Sequence, residues 1–253
     1  VRLFWNNLAD RAALTASSQH PNLLVRNLAH EFLVKVWRTG TTLTEEWVSV
    51  DLGEPLPVSS LILAAHTLQP SDQLRYSLSN DAGFIGAEEI PLAWRADTIV
   101  EVFPLCEVRY VRIAFTKGMA GEVRQIGRLF LGEHVECDDP DHKGYREQPV
   151  DLSKKSRSLG GQSYTEQRKQ YREIRIPFDM MPGEQVNEIL GIARQVGTHT
   201  AFFIQIQDTL ADLNRDVLDE VLYVKFKDLS DKEVRGVDVD LLWKLQLDVE
   251  EQL

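Results

Sequence analysis

The sequence predicts a mainly β protein: a β-sandwich followed by a smaller α+β domain with one amphipathic helix on an antiparallel sheet. Three observations carry that expectation. Stretches of the first half alternate apolar and polar residues with period two, which places alternate side chains on opposite faces of a strand. One later stretch is apolar at helical spacing instead. Between the halves lies a hydrophilic segment, ECDDPDHKGY and then SKKSRSLGGQS, whose Asp139-Pro140 and Gly160-Gly161 pairs are turn signals. The chain therefore divides into a sandwich at 1–136, a polar linker at 137–163 and an α+β domain at 164–253.

In the first half, Val48, Val50 and Leu52 alternate with Trp47, Ser49 and Asp51. Ser59–Ala65 is a continuous apolar run of strand length. Leu74, Tyr76 and Leu78 alternate with Arg75, Ser77 and Ser79; Val111, Ile113 and Phe115 alternate with Arg112 and Ala114. Ile126, Arg128 and Phe130 face away from Gly127, Leu129 and Leu131. Gly, Pro, Asn and Asp punctuate these runs, the pattern of a sandwich or barrel. In the second half, Ile174, Ile176 and Phe178 mark one strand face. Val186, Ile189, Leu190 and Ala193 then form one apolar helical stripe, with Pro182 before it and Gly197 after it. Phe202, Ile204 and Ile206 mark the next strand, and Leu222, Val224 and Phe226 another. Val237 to Val249 is apolar at every second position, which reads as a long edge-to-edge strand or a bent pair. One helix on such a sheet is an α+β arrangement.

The chain has 253 residues with 28 Lys+Arg against 39 Asp+Glu, a net charge of −11. That charge repels nucleic acid and anionic membranes at long range, and the KKSR stretch at Lys154–Arg157 is too short to reverse it. No apolar run is long enough to cross a bilayer, and no basic start with a long apolar stretch opens the chain, so neither membrane insertion nor a secretory leader is expected. Cys106 and Cys137 form no close-spaced metal or redox motif, and their pairing stays open.

No catalytic motif appears: no G-x-S-x-G, no P-loop, no G-x-G-x-x-G, no H-E-x-x-H. The best metal-like cluster is Cys137, Asp138, Asp139, Asp141 and His142, whose spacing matches no established loop and reads as a solvated linker. Glu45-Glu46, Glu88-Glu89 and Glu250-Glu251 are adjacent pairs; neighbours on a strand point to opposite faces, so none is a glycosidase dyad. No cofactor, metal or catalytic set is expected. Trp37, Trp47, Trp94 and Tyr76 offer rings for stacking on sugar; Trp47 sits on a patterned strand and reads as core, whereas Trp94, in PLAWRAD, reads as exposed. His66 and Arg75 bracket the loop TLQPSDQL. The candidate ligand-binding residues are thus His66, Arg75 and Trp94, the plainer reading of each being a packed or solvated side chain.

The runs EEWVSVDLGEPLPVSSLILAAHTL, LRYSLSND, VRYVRIAF and IGRLFLGE resemble a discoidin-like (galactose-binding-like) jelly roll over about Leu14–Glu133. Trp47, Asp51, Leu52 and Gly53 match its early aromatic strand; Arg109, Tyr110, Val111, Arg112 and Ile113 match its later strand. More narrowly, LFWNNLADRAALTASS, IGRLFLGE and SRSLGGQSYTEQRKQYREIRIPF, with Ser158, Gly160, Gly161, Gln162, Tyr171 and Arg172, look like a tailed-bacteriophage tail or baseplate protein. That resemblance implies a non-enzymatic structural component of the virion tail, made in the host cytoplasm. Its partners would be copies of itself and other tail or baseplate proteins. The jelly roll implies contact with host-surface carbohydrate. The alternative is a carbohydrate-binding module of a bacterial enzyme or adhesin.

Overall fold

The computed structural model describes residues 1–40, 43–118, 121–137, 146–207, 219–228, 232–235 and 242–252. Its strands, in order, are β1 (Arg2–Phe4), β2 (Ala13–Ala16), β3 (Trp37–Arg38), β4 (Glu45–Ala64), β5 (Gln73–Ser79), β6 (Ile90–Pro91), β7 (Ile99–Thr116), β8 (Gln125–Ile126), β9 (Arg128–Gly132) and β10 (Val135–Glu136). There follow β11 (Arg146–Asp151), β12 (Lys154–Arg157), β13 (Ser163–Glu166), β14 (Gln170–Pro182), helix α1 (Gly183–Val196), β15 (Phe202–Gln207), β16 (Asp219–Phe226), β17 (Lys232–Arg235) and β18 (Leu242–Glu251). The protein is mainly β, as its alternating patterns predict. It forms two compact units, Phe4–Val135 on one hand and Val1–Leu3 with Glu136–Leu253 on the other.

In the Phe4–Val135 unit the strands run in the order β2-β4-β7-β5-β6, with β9 also paired to β4. The two expected strands at Trp47–Leu52 and Ser59–Ala65 are one long strand, β4. It is bent by register shifts against β7 between Asp51 and Leu56 and between Val58 and Ser60. Gly53 makes the bend possible: its φ is +87°, a region closed to most side chains, and its N–H is held by Asp51 Oδ1 at 2.8 Å. Beyond the bend β4 pairs with both β7 and β9. Residues 58–64 are buried on both faces, which is why that run is continuously apolar rather than alternating. Val48, Val50, Leu61, Leu63, Leu74, Tyr76, Val111, Ile113 and Phe115 share one core with Trp37, Leu129 and Leu131. Burying one such side chain stabilises the fold by roughly 1.5–3 kcal/mol.

In the other unit the sheet order is β10-β1-β15-β16-β18-β14-β11, with β17 paired to β18. Ile174, Ile176 and Phe178 of β14 and Leu245, Leu247 and Val249 of β18 are buried, each row on one face as the sequence alternates. Helix α1 buries Val186, Ile189, Leu190, Ile192, Ala193 and Val196; Gly197, at φ +60°, follows it, its N–H bonded to Ala193 O at 2.9 Å. β18 is interior to the sheet, flanked by β16 and β14. Val237, Val239 and Leu241 lie outside the described residues. Part of the expected polar linker is sheet: β11 pairs with β14, and β12 with β13 forms a separate two-stranded ribbon whose every residue is exposed. Apolar periodicity is weak there because that ribbon has no buried face to pattern.

Candidate functional site

Alternation and register together build a row of functional side chains on the outer face of the β4-β7-β5 sheet. Val48 and Val50 point into the core, so Trp47, Ser49 and Asp51 point out. Pairing sets Ala114 between Trp47 and Arg75, Arg112 between Ser49 and Ser77, and Tyr110 between Asp51 and Ser79. Trp47, expected in the core, is therefore a half-buried outward residue. The Arg112 guanidinium carbon lies 5.1 Å from its ring centroid.

The loop between β5 and β6 adds a second ring. Phe84 lies 4.1 Å from the same guanidinium carbon and meets Tyr110 edge-on at 6.4 Å. Its φ is +56°, unusual for a residue with a side chain. Asp81 holds it there, its Oδ2 accepting from the N–H groups of Gly83 at 3.0 Å and Ile85 at 3.2 Å. Asn80 ties the loop to β7, donating to Glu107 O at 3.1 Å and accepting from Arg109 N at 2.9 Å. Ile85 at the loop tip is 86% exposed.

Two of the three arginines on this face are engaged by carboxylates. Arg109 makes a two-point contact with Asp51, at 2.8 and 3.2 Å, and lies 4.9 Å from the Tyr110 ring. Its hydrogen bond, with that of Gly53 N–H, holds the Asp51 carboxyl below the usual carboxylate range. Arg75 is paired with Glu45, contacts Glu89 at 3.0 Å, and donates to Thr116 Oγ1 at 3.3 Å. Arg112 has no ion pair among the described residues; its Nε is buried without a hydrogen-bond partner.

The three sequence candidates fall in two places. His66 and Trp94 meet at the end of the sandwich, joined through Leu68: His66 Nδ1 accepts from Leu68 N at 3.2 Å and Trp94 Nε1 donates to Leu68 O at 3.0 Å. Trp94 also packs against the core. Burial pushes the His66 imidazole below its ordinary value, against the opposing pull of the Arg95 main chain and Asp97. Arg75 belongs instead to the outer face. Trp37 and Tyr76 are core residues, Trp37 donating to Ser18 O at 3.1 Å and Tyr76 stacked on Phe103 at 5.6 Å.

The same end of the sandwich holds buried charge. Lys117 and Glu46, both fully buried, pair at 3.2 Å; Glu46 Oε2 accepts from Ser17 Oγ at 2.5 Å and Ser18 Oγ at 2.7 Å. Arg124 binds Asp72 at 2.6 and 2.9 Å. Every one of these groups is satisfied internally, so the network ties loops together rather than presenting reactive atoms.

A pairing missed in the sequence is Ser59 Oγ with His134 Nδ1, 2.9 Å apart and 75 positions away in the chain. It has the first contact of a nucleophile–base pair, but Ser59 is buried within the interior stretch of β4, where no substrate reaches it. In the other unit, a shallow cleft is lined by Arg146, Arg175, Lys227, Glu173 and Asp248 among others. Its charges are joined as Arg175–Asp248 at 2.8 Å and Lys227–Glu173 at 2.6 Å. Cys106 and Cys137 form no disulfide among the described residues. Among the described residues no three His, Cys, Asp or Glu converge as metal ligands. Asp138, Asp139, Asp141 and His142 lie outside the described residues. No described helix is long and apolar enough to cross a membrane, which says nothing of a β-barrel.

No protein-family model matches the chain, and no curated protein matches it in sequence. Solved structures do. Chitosan-binding module 1 of a chitosanase/glucanase from Paenibacillus sp. IK-5 is similar at 18% identity and a TM-score of 0.44, over 51% of this chain and 99% of its own. A Streptococcus pneumoniae fucose-binding module, SpX-3, is similar at 14% identity and 0.42, over 51% and 98%. The Clostridium perfringens module CpGH89CBM32-5, solved with GalNAc-β-1,3-galactose, is similar at 15% identity and 0.43, over 51% and 100%.

Proposed function

We propose that this is a non-catalytic binding protein whose Phe4–Val135 unit contacts carbohydrate. The ligand class is the one in the names of the similar modules; the argument for it lies on the sheet itself. The observation that carries it is the half-exposed row of Trp47, Arg112, Phe84 and Tyr110 on a rigid sheet face, flanked by serine hydroxyls. Flat rings stack on the apolar faces of pyranoses, and fixed planar donors meet their hydroxyls. A strand-borne site is pre-organised, so little ordering entropy opposes binding. His66 and Trp94 at the loop end remain the second candidate contact. A glycan array separates the two: signal lost in Trp47→Ala and Tyr110→Ala places contact on the sheet face, and signal lost in His66→Ala and Trp94→Ala places it at the loop end. An array with no signal refutes the proposal.

A second reading, a structural component of a phage tail or baseplate, is favoured by a different observation. The β12–β13 ribbon is exposed throughout, and Leu159 at its turn is fully exposed. A two-stranded ribbon without a buried face is marginal alone and gains stability by docking. Lys154, Lys155 and Arg157 outnumber Glu166 in the ribbon and make it basic in an otherwise acidic chain, which suits an acidic partner such as a second copy. Sedimentation of the full chain tests this: concentration-dependent assembly that disappears when Lys154, Lys155 and Arg157 become glutamate supports it, and a monomer at all concentrations opposes self-assembly.

A further inference from the structure

We infer that the Arg112 guanidinium is the receptor for a carboxylate on the bound saccharide, so that the sheet face selects acidic sugars. The inference rests on the carbohydrate reading above and deepens it. Three arginines sit on one sheet face. Arg75 and Arg109 are neutralised by Glu45, Glu89 and Asp51. Arg112, between them in register, has Ser49 and Ser77 as its cross-strand neighbours, and neither carries charge.

The chemistry of Arg112 is unusual for a structural arginine. Two aromatic rings hold the guanidinium in place, at 5.1 and 4.1 Å from its central carbon. Cation–π contacts of this kind fix orientation without using N–H groups. The N–H groups find no acceptor among the described residues, and Nε is already out of water. A half-buried cation with unused donors gains most from an incoming anion, because the cost of leaving water has been met in part on folding. The guanidinium edge matches the two oxygens of a carboxylate, giving parallel charge-assisted hydrogen bonds.

The choice of anion follows from charge. One unpaired guanidinium balances one negative charge, which suits a hexuronate carboxylate better than a dianionic phosphate ester. The apolar rim suits a sugar ring better than a bare ion: the Phe84 and Trp47 rings border the guanidinium. Phe84 reaches it from a backbone conformation that disfavours side chains by about 1–2 kcal/mol, and Asp81 and Asn80 hold that conformation. Strain maintained at a position that covers an unpaired cation fits a binding role.

The test is calorimetric titration of the full chain with three probes: a glucuronate-terminated disaccharide, its glucose-terminated counterpart, and acetate. The acidic disaccharide is expected to bind about tenfold more tightly than the neutral one, the worth of one good charged hydrogen-bond pair. Arg112→Gln is expected to bring the acidic and neutral disaccharides to equal affinity, whatever it costs the affinity for both. Arg112→Lys keeps charge and stem but not the planar fork, and is expected to lose most of the preference; it stands in if the Gln variant does not fold. Equal affinity for acidic and neutral disaccharides would overturn the inference and leave carbohydrate binding standing. Binding of neither disaccharide overturns both. Acetate binding as tightly as the acidic disaccharide overturns saccharide selection, because the sugar then adds nothing.

Discussion

Lys117→Met removes one charge from a fully buried pair while keeping the length and bulk of the stem. In the native protein Lys117 Nζ donates to Glu46 Oε1 at 3.2 Å, Glu122 O at 3.0 Å and Gly40 O at 3.4 Å. The variant leaves Glu46 with the two serine hydroxyls and no counter-charge in a site with no exposure. Leaving one member of a buried pair uncompensated costs about 3–5 kcal/mol. The three loop segments that meet there, at Ser17–Ser18, Gly40 and Glu122, also lose their common tether. The double variant Lys117→Met/Glu46→Leu removes both charges. Its remaining cost is the two serine hydroxyls that lose an acceptor, about 1 kcal/mol each. The hydroxyls keep other work: Ser17 Oγ accepts from Trp47 N at 2.9 Å and Ser18 Oγ from Gly40 N at 2.8 Å. The double variant should therefore be more stable than the single. Urea unfolding followed by tryptophan fluorescence reads this, since Trp37, Trp47 and Trp94 all lie in the Phe4–Val135 unit. A single variant within about 1 kcal/mol of the parent, or a double variant worse than the single, would refute the claim that this pair is coupled.

Three further outcomes follow from the same unit. Burial alone would raise the Asp72 carboxyl, but hydrogen bonds from Arg124 and from Gln69 N–H outweigh it and hold the group below its ordinary value. Its stabilising effect is therefore present above the ordinary carboxylate range and lost as pH falls through the depressed value, so Asp72→Asn should flatten the acid limb of stability against pH below about 4. His66 is depressed by burial, so its effect has the same sign at higher pH: stability falls as pH drops below about 6.5, and His66→Gln should remove that slope in denaturation series from pH 5 to 7. Gly132→Ala would set a Cβ 2.4 Å from the Asn6 carbonyl oxygen, an atom of the backbone that cannot swing aside; a loss of about 1–3 kcal/mol by thermal unfolding is expected, and an unchanged midpoint would contradict the packing described.

Faces were legible where one side of a strand is buried. The alternation at Trp47–Leu52, Leu74–Ser79 and Val111–Phe115 separates core from outward residues, and the structure keeps that division. Trp47 reads as core because aromatic rings on patterned strands usually are, yet its parity puts it with the outward Ser49 and Asp51. What alternation cannot supply is register. Nothing local says that Arg112 lies between Ser49 and Ser77, or that Glu46 meets Lys117 across 71 positions. The bend in β4 was hidden because Gly53-Glu54-Pro55 looks like a break; Asp51 and the positive φ of Gly53 carry the strand through it. Phe84 was missed for a similar reason, since it sits in a loop and reaches the face through a conformation that composition does not announce. Trp94 looked exposed among polar neighbours, but its indole N–H is bonded to Leu68 O.

The arginines of the Phe4–Val135 unit show how a binding face is set apart from a scaffold. Arg124 and Arg109 each contact a carboxylate through two nitrogens, and Arg75 contacts two different glutamates. Such cations are held in place by the anions they contact. Removing one leaves a carboxylate behind, so the effect is read as stability. Arg112 is different in kind, because its orientation comes from rings rather than from an anion. Removing it leaves no stranded charge among the described residues, so its loss should cost the fold little beyond packing and two cation–π contacts. The two classes therefore separate in one experiment. Arg124→Gln should lower the unfolding midpoint without a specific effect on acidic-sugar preference, and Arg112→Gln should do the reverse. The separation follows because carboxylates already satisfy one class of guanidinium and not the other.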